Sequence, residues 1–347
     1  MSEQHKIAVI GAGSFGTIIA NLLAVRNNVY LYSRREEAVS QMQSTRKNAG
    51  QNLHANINPS QNLEQILLDC RLIYVTVTSS QMRNFIQTAA PLLKPSHLII
   101  HGTKGFDVAL KEEDLLKPET HVKLEHVKTM SEVIVDESVV KRVGCLAGPN
   151  LAKEIGQGQP AATVIASRFE EVIQMGISTI RSDNFQTYSN NDITGVEISG
   201  ALKNIYAIGS GMLTGLGLGE NVRALLINKG LTEMIHLGKV FGADVQSFLG
   251  LAGMGDLIAT CNSPLSRNYT VGKRLAEGET LDEVIASMNE VAEGVKTIKI
   301  ANGLSREYNV PTPIVRMLYK MLFEDLNVKE GLEILMDLNY TADVDYL

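Results

Sequence analysis

The sequence predicts an α/β chain: an N-terminal Rossmann-like, doubly wound sheet over residues 1–190, followed by an all-α C-terminal domain over 191–347. Three observations carry this. Up to about Asn190, short β-rich apolar runs alternate with helical patterns. Beyond it the strand-like runs vanish and helical patterns fill Thr194 to Leu335. The first strand-to-helix turn also carries a Gly-x-Gly-x-x-Gly loop, the context in which that motif is informative.

Composition bounds the rest. A chain of 347 residues is long for one domain, and 44% hydrophobic residues supply a sizeable core. The net charge of −6 gives no sign of a polyanion-binding surface, so no nucleic-acid partner is expected. Cys70, Cys145 and Cys261 are far apart and read as apolar fillers in a reducing compartment. No signal-peptide pattern and no eighteen-residue apolar run occurs, so a cytoplasmic protein without a membrane span is expected. The seven histidines are dispersed and no metal is expected.

Lys6 to Ile10 is the first strand, Gly11-Ala12-Gly13-Ser14-Phe15-Gly16 follows at once, and Thr17 to Val25 reads as a helix. In such a loop Gly11 permits the tight turn, Gly13 admits a pyrophosphate to the backbone, and Gly16 lets helix and strand pack closely. The helix N-terminus adds N–H groups and a positive dipole end. A glycine-rich turn with no ligand is the plainer alternative. Val29 to Tyr32 is the second strand and ends at Ser33-Arg34-Arg35. NAD-selective folds place Asp or Glu about 20 residues beyond the glycines. Arg instead pairs with a 2′-phosphate, which favours NADP over NAD. The same arginines would also suit the start of a solvated helix with Glu36 and Glu37.

Asn48 to Asn62 is polar and reads as a loop, and Leu63 to Cys70 as a helix. Leu72 to Val77 and His97 to Ile100 are strands, with a helix from Ser79 to about Leu93 between them. The second of these strands ends at Gly102-Thr103-Lys104-Gly105, where Lys104 is either a ligand contact or an ordinary turn lysine. Asp107 to Lys128 is charged and amphipathic. Met130 to Val140 reads as a helix and Val143 to Ala147 as a strand closed by Gly148-Pro149-Asn150. Ala161 to Ala166 and Phe185 to Tyr188 are strands flanking a helix from Phe169 to Ile180. Small polar residues thus close two strands at the carboxyl edge, where open α/β sheets bind ligands.

In the helical half, Ile198, Ala201, Leu202, Ile205 and Ile208 form one apolar stripe of the helix Thr194–Met212. Lys203 and Asn204 lie beside Ser199 and Gly200, which leaves room for a ligand and equally fits an exposed polar pair. Gly253-Met254-Gly255 lead into a helix with Asp256 near its start and Thr260 one turn on. Locally, Asp256 reads best as a cap. Ser266-Arg267-Asn268 opens the next helix, and Arg at a helix N-terminus is a ready phosphate site.

Taken together these segments resemble the NAD(P)-dependent glycerol-3-phosphate dehydrogenases. The residues that carry the likeness run in family order. They are Gly11–Gly16, Gly102-Thr103-Lys104-Gly105, Met130-Ser131-Glu132-Val133, Gly148 to Glu154, Ala201-Leu202-Lys203-Asn204, Gly215 to Asn221, Leu251–Thr260, Ser266-Arg267-Asn268 and Val291-Ala292-Glu293-Gly294. The resemblance implies interconversion of dihydroxyacetone phosphate and sn-glycerol 3-phosphate, feeding glycerophospholipid synthesis. It implies Lys203 as proton donor, with Lys104 and Asp256 beside it in the catalytic set. Lys104, Gly148, Asn150, Lys203, Asn204, Asp256, Thr260, Ser266, Arg267 and Asn268 would contact or order the substrate. Gly11, Gly13, Ser14, Phe15, Gly16, Arg34, Arg35, Lys104, Ala152, Arg267, Val291 and Glu293 would contact the cofactor. Three features depart from the pattern: the long 107–128 stretch, Tyr269-Thr270 where bacterial members often carry a further Arg, and Asn150 where they often carry Ser or Thr. A homodimer is plausible from the Gly- and Leu-rich helical half. A ketopantoate or β-hydroxyacid reductase, and a catalytically inactive dinucleotide sensor, are the competing readings.

Overall fold

The computed structural model describes residues 5–117, 119–288 and 292–337. It divides into two compact units, the first made of the residues up to Lys104 with Met130–Ile193, the second of Gly105–Thr129 with the residues from Thr194 onward.

The first unit holds strands β1 (Lys6–Ile10), β2 (Asn28–Tyr32), β3 (Ile57–Ser60), β4 (Leu72–Val75), β5 (Leu98–His101), β6 (Arg142–Ala147), β7 (Ala161–Ser167) and β8 (Phe185–Asn190). They form one sheet in the order β8-β7-β6-β5-β4-β1-β2-β3. Only β6 and β7 pair antiparallel. The order 3-2-1-4-5-6 of the first six strands is that of the doubly wound dinucleotide fold, and it reverses between β1 and β4. Both faces are covered, which is why the strands read as unbroken apolar runs. Ile7, Val9 and Leu31 face the core built on α1 (Ser14–Ala24), while Ala8, Ile10 and Ile73 face the opposite one. Helices α2 (Glu36–Thr45), α3 (Leu63–Asp69), α4 (Ser79–Ala89), α5 (Met130–Glu137), α6 (Ala152–Gly156) and α7 (Glu170–Ile180) complete the unit.

Two expectations need correction here. The polar stretch 48–62 is not all loop, for Ile57–Ser60 forms β3 at the sheet edge. Asn58 and Pro59 hide the strand from a propensity reading, and an edge is where a strand tolerates Pro. The boundary at 190 is not a single cut either. Phe106, Leu115, Val122 and Val127 of the 107–128 region and its edge belong to the core of the helical unit. The Phe106 ring stacks on Phe241 with centroids 5.9 Å apart. Lys299 Nζ reaches Glu112 at 2.9 Å.

Among its described residues the second unit pairs strands only in a two-residue ribbon, Asp107–Val108 with Val127–Lys128. Its helices are α8 (Ile193–Gly215), α9 (Glu220–Val240), α10 (Val245–Leu249), α11 (Asp256–Cys261), α12 (Arg267–Ala276), α13 (Leu281–Ser287), α14 (Glu293–Glu307), α15 (Pro313–Phe323) and α16 (Val328–Met336). α8 and α12 cross backbone to backbone. A Cβ at Gly211 would sit 1.9 Å from the Tyr269 carbonyl oxygen, and one at Gly272 1.8 Å from that of Ile208. The buried carboxylate of Glu233 accepts from Ile314 N at 2.6 Å and Val315 N at 3.1 Å, capping α15. Among the described residues no helix is long and apolar enough to cross a membrane.

Candidate active site

In the first unit the glycine loop leaves β1 at the point where the strand order reverses. Gly11 has φ +108°, and a Cβ at Gly16 would fall 1.9 Å from the Gly11 carbonyl oxygen, so α1 starts in contact with the turn. Thr76, just past β4, donates its hydroxyl to the carbonyls of Ile10 and Gly11 at 3.0 Å each. Gly13 is the N-cap residue of α1 and offers no capping side chain, and a Cβ there would meet nothing within 4 Å. An uncapped helix N-terminus with open space over its glycine fits a dinucleotide pyrophosphate. α1 begins at Ser14, earlier than the sequence suggested, so Ser14, Phe15 and Gly16 form its first turn. The Phe15 ring fills the space over Gly102, where a Cβ would come within 2.6 Å of it. Ala152 opens α6 and packs on the same core as Phe15.

The end of β2 carries no carboxylate. Arg34 and Arg35 are exposed, and among the described residues neither guanidinium pairs with Glu36 or Glu37. Arg35 is the N-cap residue of α2, so the helix-start reading holds for the backbone, and both cationic heads face solvent.

At the carboxyl edge, Lys104 Nζ donates to the Gly148 carbonyl at 3.1 Å. Gly148, at φ +138°, turns the chain out of β6 toward Asn150. Asn150 Nδ2 lies 2.9 Å from Thr163 Oγ1, whose hydroxyl donates to the Ala147 carbonyl at 2.9 Å. That carbonyl can only accept, so the Thr163 proton goes to it and Asn150 must donate. Asn150 Oδ1 is thereby left as a buried acceptor with no partner. A substrate hydroxyl or amide N–H would satisfy it.

The second unit holds a buried polar cluster. Lys203 and Asn204 are 4% and 5% exposed, which discards the exposed-pair reading. Lys203 Nζ donates to Thr260 Oγ1 at 2.5 Å and lies 3.1 Å from Asp256 Oδ1. Thr260 donates to the Asp256 carbonyl one turn back at 2.6 Å. Asp256 does open α11, but its carboxylate serves Lys203 rather than the helix end. A short π-turn, Leu251–Gly255, delivers it there, with the Ala252 carbonyl accepting from Ser199 at 3.3 Å. Nearby Cys261 is buried, and burial pushes its thiol up to about 12.

Ser266 caps α12 by accepting from Tyr269 N at 3.3 Å, which leaves Arg267 exposed at the first turn. Asn268 turns inward, and its Oδ1 accepts from Gly294 N at 2.9 Å. A Cβ at Gly294 would meet both that oxygen and the Asn204 carbonyl at 2.7 Å. The start of α14, where Glu293 sits, is thus locked onto Asn204 and Asn268. Val291 lies outside the described residues. Asn48, Thr76 and Thr163 were not singled out by the sequence, because each acts through partners distant along the chain.

Two family models match almost end to end. One, described as NAD-dependent glycerol-3-phosphate dehydrogenase N-terminus, matches residues 6–173, and its C-terminus counterpart matches residues 192–333. The chain belongs to this family. A glycerol-3-phosphate dehydrogenase [NAD(P)+] from Pseudomonas aeruginosa is 39% identical, the match covering 100% of this chain and 98% of that one. Among solved structures, glycerol-3-phosphate dehydrogenase from Coxiella burnetii superposes with a TM-score of 0.85 at 31% identity, covering 96% of this chain and 99% of the other. A ketopantoate reductase from Ralstonia eutropha shares the fold alone, with a TM-score of 0.58 at 14% identity over 94% of this chain and 99% of its own.

Proposed function

We propose that the chain interconverts dihydroxyacetone phosphate and sn-glycerol 3-phosphate with NAD(P)H, and that Lys203 exchanges the proton. The observation that carries the proposal is a buried Lys203 Nζ beside the Asp256 carboxylate and the Thr260 hydroxyl. Placed against a carbonyl, Lys203 gives its proton to the oxygen and its charge stabilises the alkoxide as it forms. When bound, NAD(P)H supplies the hydride. Asp256 aims Nζ and offsets its charge, and Thr260 fixes the second direction. Arg267 at the α12 N-terminus grips the substrate phosphate, with Ser266 and Asn268 shaping the turn around it. Binding energy from that remote group holds the carbonyl in line. Lys104, Gly148, Asn150 and Asn204 contact the rest of the substrate.

Arg34 and Arg35 favour NADPH through its 2′-phosphate, and the product serves glycerophospholipid synthesis. Cys70, Cys145 and Cys261 are buried and form no disulfide, which supports a reducing cytoplasmic setting. Exposed Leu225 and Met336, which line one apolar groove, support a homodimer. The test follows the absorbance of NADPH and NADH with dihydroxyacetone phosphate, with ketopantoate as control. Consumption with the phosphate ester alone supports the proposal. Consumption with ketopantoate alone, or with neither, rejects it.

A further inference from the structure

We propose that Asn48, which no motif marks, is a positioning residue for the cofactor pyrophosphate. The inference rests on the reading that the glycine loop binds NAD(P)H. Asn48 Nδ2 lies 2.9 Å from the Ala12 carbonyl oxygen and 2.7 Å from Thr17 Oγ1. The Thr17 hydroxyl donates in turn to the Gly13 carbonyl at 2.8 Å. A hydroxyl has one hydrogen, and it is committed there, so its oxygen accepts from Asn48. Carbonyls only accept, so Asn48 presents its NH2 to both partners.

One amide therefore holds two successive loop carbonyls, Ala12 directly and Gly13 through Thr17. In a planar trans peptide the C=O and the next N–H point in opposite directions. Fixing these carbonyls on the Asn48 side turns the N–H groups of Gly13 and Ser14 the other way. Successive N–H groups aimed together make an anion-binding nest. Open space over Gly13 lies at that same turn.

Asn48 is itself held firmly. It ends a two-residue strand, Lys47–Asn48, paired with Gln51–Asn52 around Ala49 and Gly50, both at positive φ. This is the two-residue hairpin geometry. The Arg46 guanidinium donates to the carbonyls of Ile57 at 2.9 Å and His54 at 2.6 Å, tying the ribbon to the β3 edge. Asn21 of α1 donates to the Asn52 carbonyl at 2.9 Å and accepts from His54 N at 2.9 Å. The ribbon is thus clamped to the same helix whose N-terminus it orients. None of its four paired residues is buried, so the Asn48 amide contributes aim rather than core packing.

The experiment measures the Kd for NADPH by the fluorescence of the bound cofactor, and the melting temperature without cofactor. It compares wild type, Asn48→Ala, Thr17→Val and the double variant. Each single variant is expected to raise the Kd about tenfold, the size of one or two lost hydrogen bonds. The double is expected to add less than the two singles together, since both act on the Gly13 carbonyl. Asn48→Asp, which sets an acceptor against the Ala12 carbonyl, should weaken binding further. The loss should appear in the KM for NADPH and not in that for dihydroxyacetone phosphate, with the cofactor-free melting temperature little changed. An unchanged Kd in Asn48→Ala overturns the inference, as does a Kd loss matched by a lower melting temperature and an equal rise in both KM values. Wild type failing to bind NADPH would instead overturn the functional reading beneath it.

Discussion

Lys203 Nζ and Asp256 Oδ1 stand 3.1 Å apart on side chains only 5% and 3% exposed. A charge pair so deeply buried stabilises little in net terms, yet losing one partner strands the other. Asp256→Ala should therefore lower folding stability by about 3–5 kcal/mol, while Lys203→Met with Asp256→Leu should recover most of it. Denaturant unfolding checks this. A double variant no more stable than Asp256→Ala would show that the pair is held for stability.

Activity should not follow stability. Lys203→Ala should cut turnover at least about 100-fold, the scale of a lost acid–base contribution, and the stabilised double variant should remain equally inactive. Steady-state rates at saturating substrate decide it, and wild-type turnover in Lys203→Ala would remove the proton-donor role.

Arg267 opens α12 with its side chain exposed. If it grips the substrate phosphate, Arg267→Ala should raise the KM for dihydroxyacetone phosphate by roughly 10- to 100-fold, the worth of a charged hydrogen bond. Unphosphorylated dihydroxyacetone, tested as a poor substrate, should be insensitive to the change. Equal effects on both would place Arg267 elsewhere.

With Arg34 and Arg35 both replaced by Ala, the KM for NADPH should rise about tenfold or more and that for NADH much less, because only NADPH carries the 2′-phosphate. A parallel rise for both cofactors would assign the arginines to adenine stacking.

Burial pushes the Glu233 carboxyl up to about 8 from an ordinary 4.5. The folded chain then retains a proton that the unfolded chain releases from about 4.5 upward. The stabilising contribution is complete below the unfolded value and is lost as pH rises through the folded one. Melting temperature should fall across this window, and Glu233→Gln, which does not titrate and keeps one of the two acceptor oxygens for the α15 N-terminus, should flatten the fall. An identical pH slope in the variant would exclude Glu233 as its source.

How legible each part was depended on how local its cause is. The β1–loop–α1 unit could be read directly, since Gly11 to Gly16 act within six residues. The apolar strands were equally plain because both sheet faces are covered. β3 was hidden by Asn58 and Pro59, whose edge position only the sheet reveals. Asp256 looked like a cap because its partner Lys203 comes from another helix. Asn48 looked like loop filler because its two acceptors lie back at the glycine turn. Even the Lys203–Asn204 pair stayed ambiguous on a helical wheel, since the wheel cannot show that α8 is surrounded on every side.

The assignment of Gly105–Thr129 to the helical unit bears on how such genes can recombine. A chimera spliced near residue 193 would pair one parent's C-terminal helices with the other parent's Phe106, Leu115, Val122 and Val127. Complementarity at Phe241, and at Gly303, where a Cβ would come within 2.4 Å of Val122, would then be left to chance. Functional hybrids within the family should be those that carry this stretch along with the helices it serves.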